Sequence, residues 1–396
     1  MKLLIVVPYY EPAWAYGGPP RLMSIIARTL AARHRVTVLT TDVLDATHRA
    51  TPLVEELGGV RVHRFPTLSN TLAWQTKIIL PRHYRQRLQD EILAADVVFL
   101  SDFRHWLNAA ATSLLQHAHK PYALAAFGQL QKPKDWKYPL KSYFDWRWGK
   151  RLVQQARWLI AQTEHEALDY QSLGGTAGQH YLMPLMETLP TAQEFAQRGE
   201  FRRRYQLNSN TKLLLFVGRL NKLKGLGVLV NSFAQLRQRL PQTDLRLVIV
   251  GRDDGYQMEL NQLIGQLKLT DYVIQTGPLY GADNAACYLD ADYFVFTPTY
   301  YEETSLATVR ALSFGLPVIT TVQAQLPWLD AYQAGYTLEN SPEQIVDKLT
   351  ELLPNDILRA KLSTQAQRLF AEHYERDQVI AQLEHAFEHN LQTIQK

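Results

Sequence analysis

TPTYYEETSLATVRALSFGLPVI, residues 297 to 319, decides the fold. A strand-like run from Ala291 to Phe296 leads into it, and a loop of Pro, Thr and Tyr follows, holding Glu302 and Glu303. A helical run then ends at Gly315, before LPVIT, which reads as a buried strand. Strand, polar loop and helix start is the arrangement by which an α/β fold gathers backbone N–H groups and a positive dipole end around an anion.

The rest of the chain repeats that grammar. Strands are expected at Lys2 to Pro8, Val36 to Thr40, Val60 to Phe65, Val97 to Leu100, Tyr122 to Ala126 and Trp158 to Thr163. Between the first two, Leu22, Ile25, Ile26 and Leu30 recur at helical spacing. Pro184, Pro190 and polar residues interrupt the pattern between Met183 and Glu200, which places a linker there. Alternation then restarts with strands at Lys212 to Gly218, Leu245 to Gly251, Val273 to Thr276, Ala291 to Phe296 and Val318 to Thr320. Helical patterns occupy Gly225 to Arg239 and Met258 to Leu267. Strands alternating with helices indicate βαβ units and parallel sheets. The expected organisation is a Rossmann-like domain over 1–185, a second over 200–370, and a terminal helix over 371–396 that returns to the first.

Composition narrows the partners. With 396 residues, 46% apolar and 20% charged, the chain reads as a globular protein of two ordinary domains. A formal charge of +4 is too small at this length to imply a nucleic acid. Cys287 is the sole cysteine, so no internal disulfide forms and a reducing, cytoplasmic setting is expected. The opening MKLLIVVPYY has too short an apolar run for a signal peptide and reads as a buried first strand. No stretch approaches the ~20 apolar residues of a membrane-spanning helix.

Two loops carry binding chemistry. PYYEPAWAYGGPPR sets Gly17 and Gly18 just before a helix, where bare backbone can approach a phosphate or sugar. FVGRLNKLKG sets Arg219 and Lys224 between a buried strand and a helix, where an Arg fork and a Lys point charge can grip a diphosphate. Neither loop is a G-x-G-x-x-G, which leaves a nicotinamide-dependent oxidoreductase without its fingerprint.

Taken in order, these motifs resemble family 4 glycosyltransferases, retaining enzymes of the GT-B fold that need no metal. The resemblance rests on Gly17 and Gly18, GRLNKLKG at 218–225, VIVGRDDGY at 248–256, GPLYG at 277–281, DADYFVFTPTYYEETS at 290–305 and ALSFGLPVI at 311–319. It implies two Rossmann-like domains facing across a cleft, with a nucleotide diphosphate sugar as donor and no cofactor. Gly17 and Gly18 would approach the donor phosphates or sugar, Arg219 and Lys224 would stabilise the leaving diphosphate, and Glu302 would contact the transferred sugar. Ser305 and Leu306 would offer N–H groups at the helix start. Gly251 to Asp254, Arg252 included, and Gly277 to Leu279 lie where the family holds the nucleotide base. Asp102, Arg104 and His105 in the SDFRH loop, and Phe127 in AAFGQL, fall where an acceptor would be met, though His105 reads equally as a plain surface or packed histidine. That acceptor is expected to be a growing polysaccharide or a lipid-linked glycan.

The chain departs from the family pattern at three places. Arg310 stands where the family has a second glutamate that accepts hydrogen bonds from the ribose, and Arg has no acceptor. Phe127 stands in place of a histidine, and Pro184, Leu185 and Met186 replace a Pro-Asn-Gly. Two functions follow: a hexosyltransferase, favoured by Arg219, Lys224 and Glu302, or a non-catalytic glycosyltransferase-like scaffold, favoured by Arg310 and Phe127.

One more stretch stands apart. QKPKDWKYPLKSYFDWRWGKR, residues 131–151, interleaves Lys132, Lys134, Lys137, Lys141, Arg147, Lys150 and Arg151 with Trp136, Tyr138, Tyr143, Phe144, Trp146 and Trp148. Cations mixed with aromatic rings suit the headgroup region of an anionic membrane. An ordinary helix with inward rings and solvated lysines has the same composition.

Overall fold

The computed structural model describes residues 1–394 apart from residue 17, residues 132–136, residues 302–304 and residue 325, with side chains described through residue 389. The chain forms two compact units, Met1–Met183 with Ile380–Lys396, and Pro184–Val379. Gly17 and Glu302, assigned above to the donor, lie outside the described residues, as do Lys132, Lys134 and Trp136.

The first unit is built on eight strands: β1 (Lys2–Val6), β2 (Arg35–Thr41), β3 (Val54–Leu57), β4 (Val60–Phe65), β5 (Val97–Ser101), β6 (Tyr122–Ala125), β7 (Trp158–Ala161) and β8 (His180–Leu182). Their order is β3-β4-β2-β1-β5-β6-β7-β8, parallel except for the β3–β4 hairpin. The central strands are apolar on both faces, as a sheet covered by helices requires. Helix Gly18–Ala31 buries Leu22, Ile26 and Leu30 of the stripe expected from spacing, with Met23 beside them, while Ile25 is exposed. The last helix, Arg376–Ile394, sets Phe387 against Trp158 and Phe99, with ring centroids 4.9 and 6.4 Å away. Glu384 on that helix accepts from His34 at 2.7 Å and pairs with Arg33.

The second unit has six strands: β9 (Lys212–Val217), β10 (Leu245–Val250), β11 (Val273–Gly277), β12 (Tyr293–Phe296), β13 (Val318–Thr321) and β14 (Gly335–Leu338). Their order is β11-β10-β9-β12-β13-β14, all parallel. Numbered within the unit, this is 3-2-1-4-5-6, the doubly wound order whose switch point lies between the first and fourth strands. Phe216, Phe294, Phe296, Val248 and Leu229 form its core, none more than 1% exposed. Cys287 is buried in helix Gly281–Asp290, where desolvation pushes its thiol up to about 12. Both units are therefore Rossmann-like, and each has a switch point, at β1/β5 in the first and β9/β12 in the second.

Candidate active site

In the second unit three loops leave the carboxyl edge of the sheet and are laced together by backbone. Gly218 donates its N–H to Val250 O at 2.9 Å, and Gly251 donates to Gly277 O at 3.0 Å. A Cβ on Gly251 would lie 1.7 Å from Gly218 O, so the loops after β9 and β10 touch only because residue 251 has no side chain. Gly225 is left-handed at φ +73°, and a Cβ there would sit 1.6 Å from Thr297 O. Across that contact Thr297 Oγ1 donates to Gly225 O at 3.1 Å, and Thr299 N–H donates to Leu223 O at 2.9 Å. The loop carrying Arg219 and Lys224 is thereby clamped against the loop that opened the sequence argument, at the switch point itself.

The cations of that clamp are differently held. Arg219 is half exposed and its guanidinium donates to Asp254 at 2.8 Å, with Asn221 Nδ2 3.2 Å from the same carboxylate oxygen. Lys224 closes a single 3-10 turn, its ammonium 5.7 Å from the Phe296 ring centroid. Asp253 accepts from the N–H groups of Gly255, Tyr256 and Gln257 at 3.0–3.1 Å, which holds its carboxyl below the usual range. It starts helix Gln257–Gln266, while the neighbouring Arg252 is exposed. Gly277 is left-handed at φ +71°, and Leu279 is partly buried against the core. Ser305 is the N-cap of helix Leu306–Ser313 and gives it no side-chain cap, which suits N–H groups kept for a ligand anion.

Arg310, on the second turn of that helix, has protein partners. Its guanidinium lies 2.5 Å from Glu194 and 3.9 Å from Glu187, its Nε 3.3 Å from Asn284 Oδ1, and Phe314 lies beneath at 5.1 Å. The contacts described for Arg310 tie the segment after Met183 to this helix.

In the first unit Asp102 and His105 are buried, and Arg104 and Phe127 are partly buried. Asp102 follows β5 at φ +61° and Phe127 follows β6 at φ +50°. A bulky residue in that region is strained, and such strain is tolerated where neighbours enforce it. Here Glu166 enforces it, accepting from Gly128 N–H at 2.6 Å and Gln162 N–H at 2.8 Å, while Tyr170 Oη accepts from Ala126 N–H at 2.8 Å. Asp102 accepts from the Gln129 side chain, and burial pushes its carboxyl up to about 7. Arg104 donates twice to Asp145 at 2.8 Å and also to the carbonyls of Gln129 and Leu130. His105 is buried with Nε2 3.0 Å from Ser101 O, and desolvation lowers it to about 4. His105 is thus packed rather than on the surface, and the contacts described for Arg104 lie within the first unit. Arginine and histidine in a loop invite a binding role, but here they fix the loop that carries Asp102.

Three aromatic residues complete this edge. Tyr9 stacks on Tyr16 at 3.9 Å, and Tyr16 meets Trp74 edge-on at 5.4 Å. The ammonium of Lys77 lies over both outer rings, 4.6 Å from Tyr16 and 4.4 Å from Trp74.

Comparison with known proteins covers both units. The model of the group 1 glycosyl transferases matches residues 197–369, and that of the glycosyl transferase 4-like domain matches residues 17–185. This chain belongs to the family 4 glycosyltransferases. Two curated relatives are D-inositol 3-phosphate glycosyltransferases. That of Pseudarthrobacter chlorophenolicus is 36% identical over 173 residues, 43% of this chain and 41% of its own. That of Corynebacterium jeikeium is 29% identical over 226 residues, 55% of this chain and 54% of its own. The chain thus spans about half the length of the curated relatives it matches. Among solved structures, Anabaena HepE in complex with UDP aligns at a TM-score of 0.74 and 16% identity, over 98% of this chain and 100% of that one. WaaG, a glycosyltransferase involved in lipopolysaccharide biosynthesis, aligns at 0.66 and 18%, over 97% and 99%. At these identities the likeness is one of fold, GT-B.

Sequence reasoning missed several residues of this family member's sites. Thr297, Glu166 and Gln129 act on the loops rather than on a ligand, and nothing in their spacing marks them, while Asp254, in the stretch assigned above to the base, accepts from Arg219. Tyr9, Tyr16, Trp74 and Lys77 come from two segments some sixty residues apart, with Lys77 at a helix C-cap of φ +60°. Among the described residues His34, Glu384 and Glu388 bring metal-ligating atoms within 4.8 Å, but Arg33 already holds Glu384.

Proposed function

We propose that this glycosyltransferase moves a hexose from a nucleotide diphosphate sugar to a hydroxyl of its acceptor, with retention of configuration and without a metal. The observation that supports the reading is the clamp at the β9/β12 switch point, where Gly225 meets Thr297 and so ties the loop of Arg219 and Lys224 to the loop after β12, which precedes the uncapped helix at Ser305. Two cations and a helix N-terminus supply preorganised positive charge where a diphosphate leaving group gains negative charge, the largest kind of catalytic term. Arg219 reaches that state by exchanging Asp254 for phosphate oxygens. Glu302 contacts the transferred sugar, and Gly251, Arg252, Gly277 and Leu279 border the base.

The acceptor for which those relatives are named, D-inositol 3-phosphate, supports a small phosphorylated acceptor more than a polysaccharide. Titration of the purified chain with UDP, GDP and their sugars, followed by a transfer assay with inositol phosphate, tests the reading. Binding with transfer is expected. Binding without transfer or donor hydrolysis supports the non-catalytic scaffold instead, and no binding of any nucleotide overturns both.

A second reading, peripheral contact with an anionic membrane, is favoured by one observation. Tyr143 and Trp146 stand 53% and 70% exposed on the helical stretch from Tyr138 to Gln155, with Arg147, Lys150 and Arg151 exposed beside them. Phe144 and Trp148 instead pack inward on Phe103 and Trp106, at 5.9 and 6.2 Å. Among the described residues no helix is long and apolar enough to cross a membrane.

A further inference from the structure

Helix Leu226–Arg239 of the second unit turns Leu226, Leu229, Val230, Phe233 and Leu236 into the core. On another face it carries Gly227, Asn231 and Gln235, spaced by four. These three line a pocket of about 670 Å³, walled by Tyr256 before helix Gln257–Gln266 and by Pro342 at the start of helix Pro342–Leu352. That volume falls within the roughly 300–1,000 Å³ of small-molecule sites. Among the described residues, none of those assigned to the donor lines it.

One end of this pocket is rich in hydrogen-bond donors. The helix opens on Gly225, which has no side chain to cap the N–H groups of the first turn. Lys222 lines the same end, 78% exposed, and its contact with Glu259 is long, at 3.7 Å. Tyr256 is only 9% exposed, yet among the described residues its hydroxyl has no hydrogen-bond partner. That hydroxyl stands over the first turn, since a Cβ on Gly227 would lie 3.1 Å from it. A glycine inside a helix, otherwise unfavourable, is thereby accounted for. Burial, followed by the Glu259 carboxylate, raises the Tyr256 pKa, so the group offers an O–H at neutral pH. Farther along the helix Asn231 Nδ2 donates to Gly227 O at 2.7 Å, which leaves its Oδ1 as an acceptor beside the Gln235 amide.

We propose that this pocket is a second ligand site and holds a phosphorylated monosaccharide. Helix N–H groups, an ammonium and a buried phenol O–H all donate at the Lys222 end, which selects an anion with several acceptor oxygens. A phosphomonoester has three such oxygens and nearly two negative charges at neutral pH. A buried O–H without an acceptor is costly, and a phosphate oxygen removes that cost. Beyond it the amides of Asn231 and Gln235 match ring hydroxyls, because an amide both donates and accepts. From Gly227 to Gln235 the helix rises about 12 Å, room for a hexose with its phosphate at one end. Val228 and Pro342 give the C–H groups of the ring an apolar wall. No transfer takes place here, so the proposal goes beyond the glycosyltransferase reading and does not rest on it.

The test is calorimetric titration of the full chain with glucose 6-phosphate, glucose and inorganic phosphate, with and without saturating UDP. Glucose 6-phosphate is expected to bind at least tenfold more tightly than glucose or phosphate, with or without UDP. Lys222→Gln and Tyr256→Phe are each expected to weaken it at least threefold, with the thermal midpoint and UDP affinity of the parent kept. No binding, phosphate binding as tight as that of the sugar phosphate, or an affinity unaltered in both variants overturns the proposal. Displacement by UDP overturns it too, because the ligand would then sit on the donor loops. A parent chain that fails to bind UDP ends the donor reading and leaves the two variants to decide this site.

Discussion

The guanidinium of Arg310 lies 2.5 Å from a carboxylate oxygen of Glu194, with Glu187 3.9 Å away. Glu194 sits in a capping box with Thr191. Burial works against its charged form, yet the Thr191 N–H and Arg310 outweigh this and hold the carboxyl below its ordinary range. From sequence alone, Arg310→Glu is expected to restore a ribose acceptor and strengthen donor binding. With these partners the same change puts a third carboxylate beside Glu187 and Glu194, in a site where the Arg310 side chain is only 19% exposed. The expected outcome is a loss of about 2 kcal/mol or more in urea unfolding, partly regained when Glu194→Arg is added. An unchanged midpoint in Arg310→Glu would mean that the pair holds nothing together.

Asp102 and His105 impose opposite pH dependences on the first unit. Burial raises the Asp102 carboxyl from 3.8 to about 7, so the folded state holds a proton that the unfolded chain has released. Its contribution is present below pH 4 and is lost as pH rises to 7. Burial lowers His105 from 6.5 to about 4, so its contribution is present above pH 6.5 and lost as pH falls to 4. Because the two slopes oppose each other, the parent chain conceals both. Asp102→Asn, which tolerates the left-handed backbone, should gain stability relative to the parent as pH rises from 4 to 7, by a few kcal/mol at most. His105→Gln should lose the upward slope between pH 4 and 6.5. Parallel curves for parent and variants in pH-resolved chemical denaturation would refute the assignment.

Each strand expected from periodicity is present within a residue or two, because the central strands are buried on both faces and read as apolar runs. The strands passed over are β3 (VEEL), β8 (HYL) and β14 (GYTL), short elements at sheet edges whose exposure dilutes the pattern. At the site, the loop of Gly218 to Gly225 and the loop at Gly251 were legible as motifs, because backbone approach as close as that of Gly225 to Thr297 demands glycine. The partner of Arg310 was not, since Glu194 is 116 residues away and pairing at that distance leaves no periodic trace. The ring contacts of Tyr9, Tyr16 and Trp74 escaped for the same reason.

Gly225 should be intolerant of any side chain. A Cβ would lie 1.6 Å from the Thr297 carbonyl oxygen, and φ is +73°, so both space and backbone exclude alanine. Gly225→Ala is expected to destabilise the second unit by about 3 kcal/mol or more, or to leave the chain insoluble. Gly255→Ala, also left-handed but with nothing within 4 Å, isolates the conformational part and should cost about 1 kcal/mol. Equal thermal midpoints for the two variants would show that the contact with Thr297 is slack.

Arg219 and Lys224 should each contribute a charge-assisted contact to nucleotide binding. Arg219→Ala and Lys224→Ala are expected to weaken UDP or GDP affinity by about 1.5–3 kcal/mol apiece, with little effect on stability. Asp254 competes for Arg219 in the free protein, so Asp254→Asn should tighten nucleoside diphosphate binding. Calorimetry that finds both alanine variants as tight as the parent removes the clamp from the donor site.

Trp146 gives the membrane reading its sharpest test. The buried pair of Arg104 with Asp145, at 2.8 Å, anchors the helical stretch, and Phe144 and Trp148 pack inward, which leaves Trp146 and Tyr143 on the outer side. A π-helical turn over Asp145–Gly149 allows this split, since it shifts the phase of the face between Tyr143 and Lys150. Fold stability should therefore be indifferent to Trp146, and Trp146→Ser is expected to keep the thermal midpoint of the parent. Binding to vesicles with anionic lipid should weaken in Trp146→Ser, and should fall by about 1 kcal/mol for each of Arg147, Lys150 and Arg151 changed to Gln. Added salt should lower the affinity of the parent and have less effect on the triple Gln variant. Vesicle sedimentation with neutral and anionic lipid decides the matter. Equal binding to both lipids, or none to either, would show that the exposed rings serve something other than an anionic membrane.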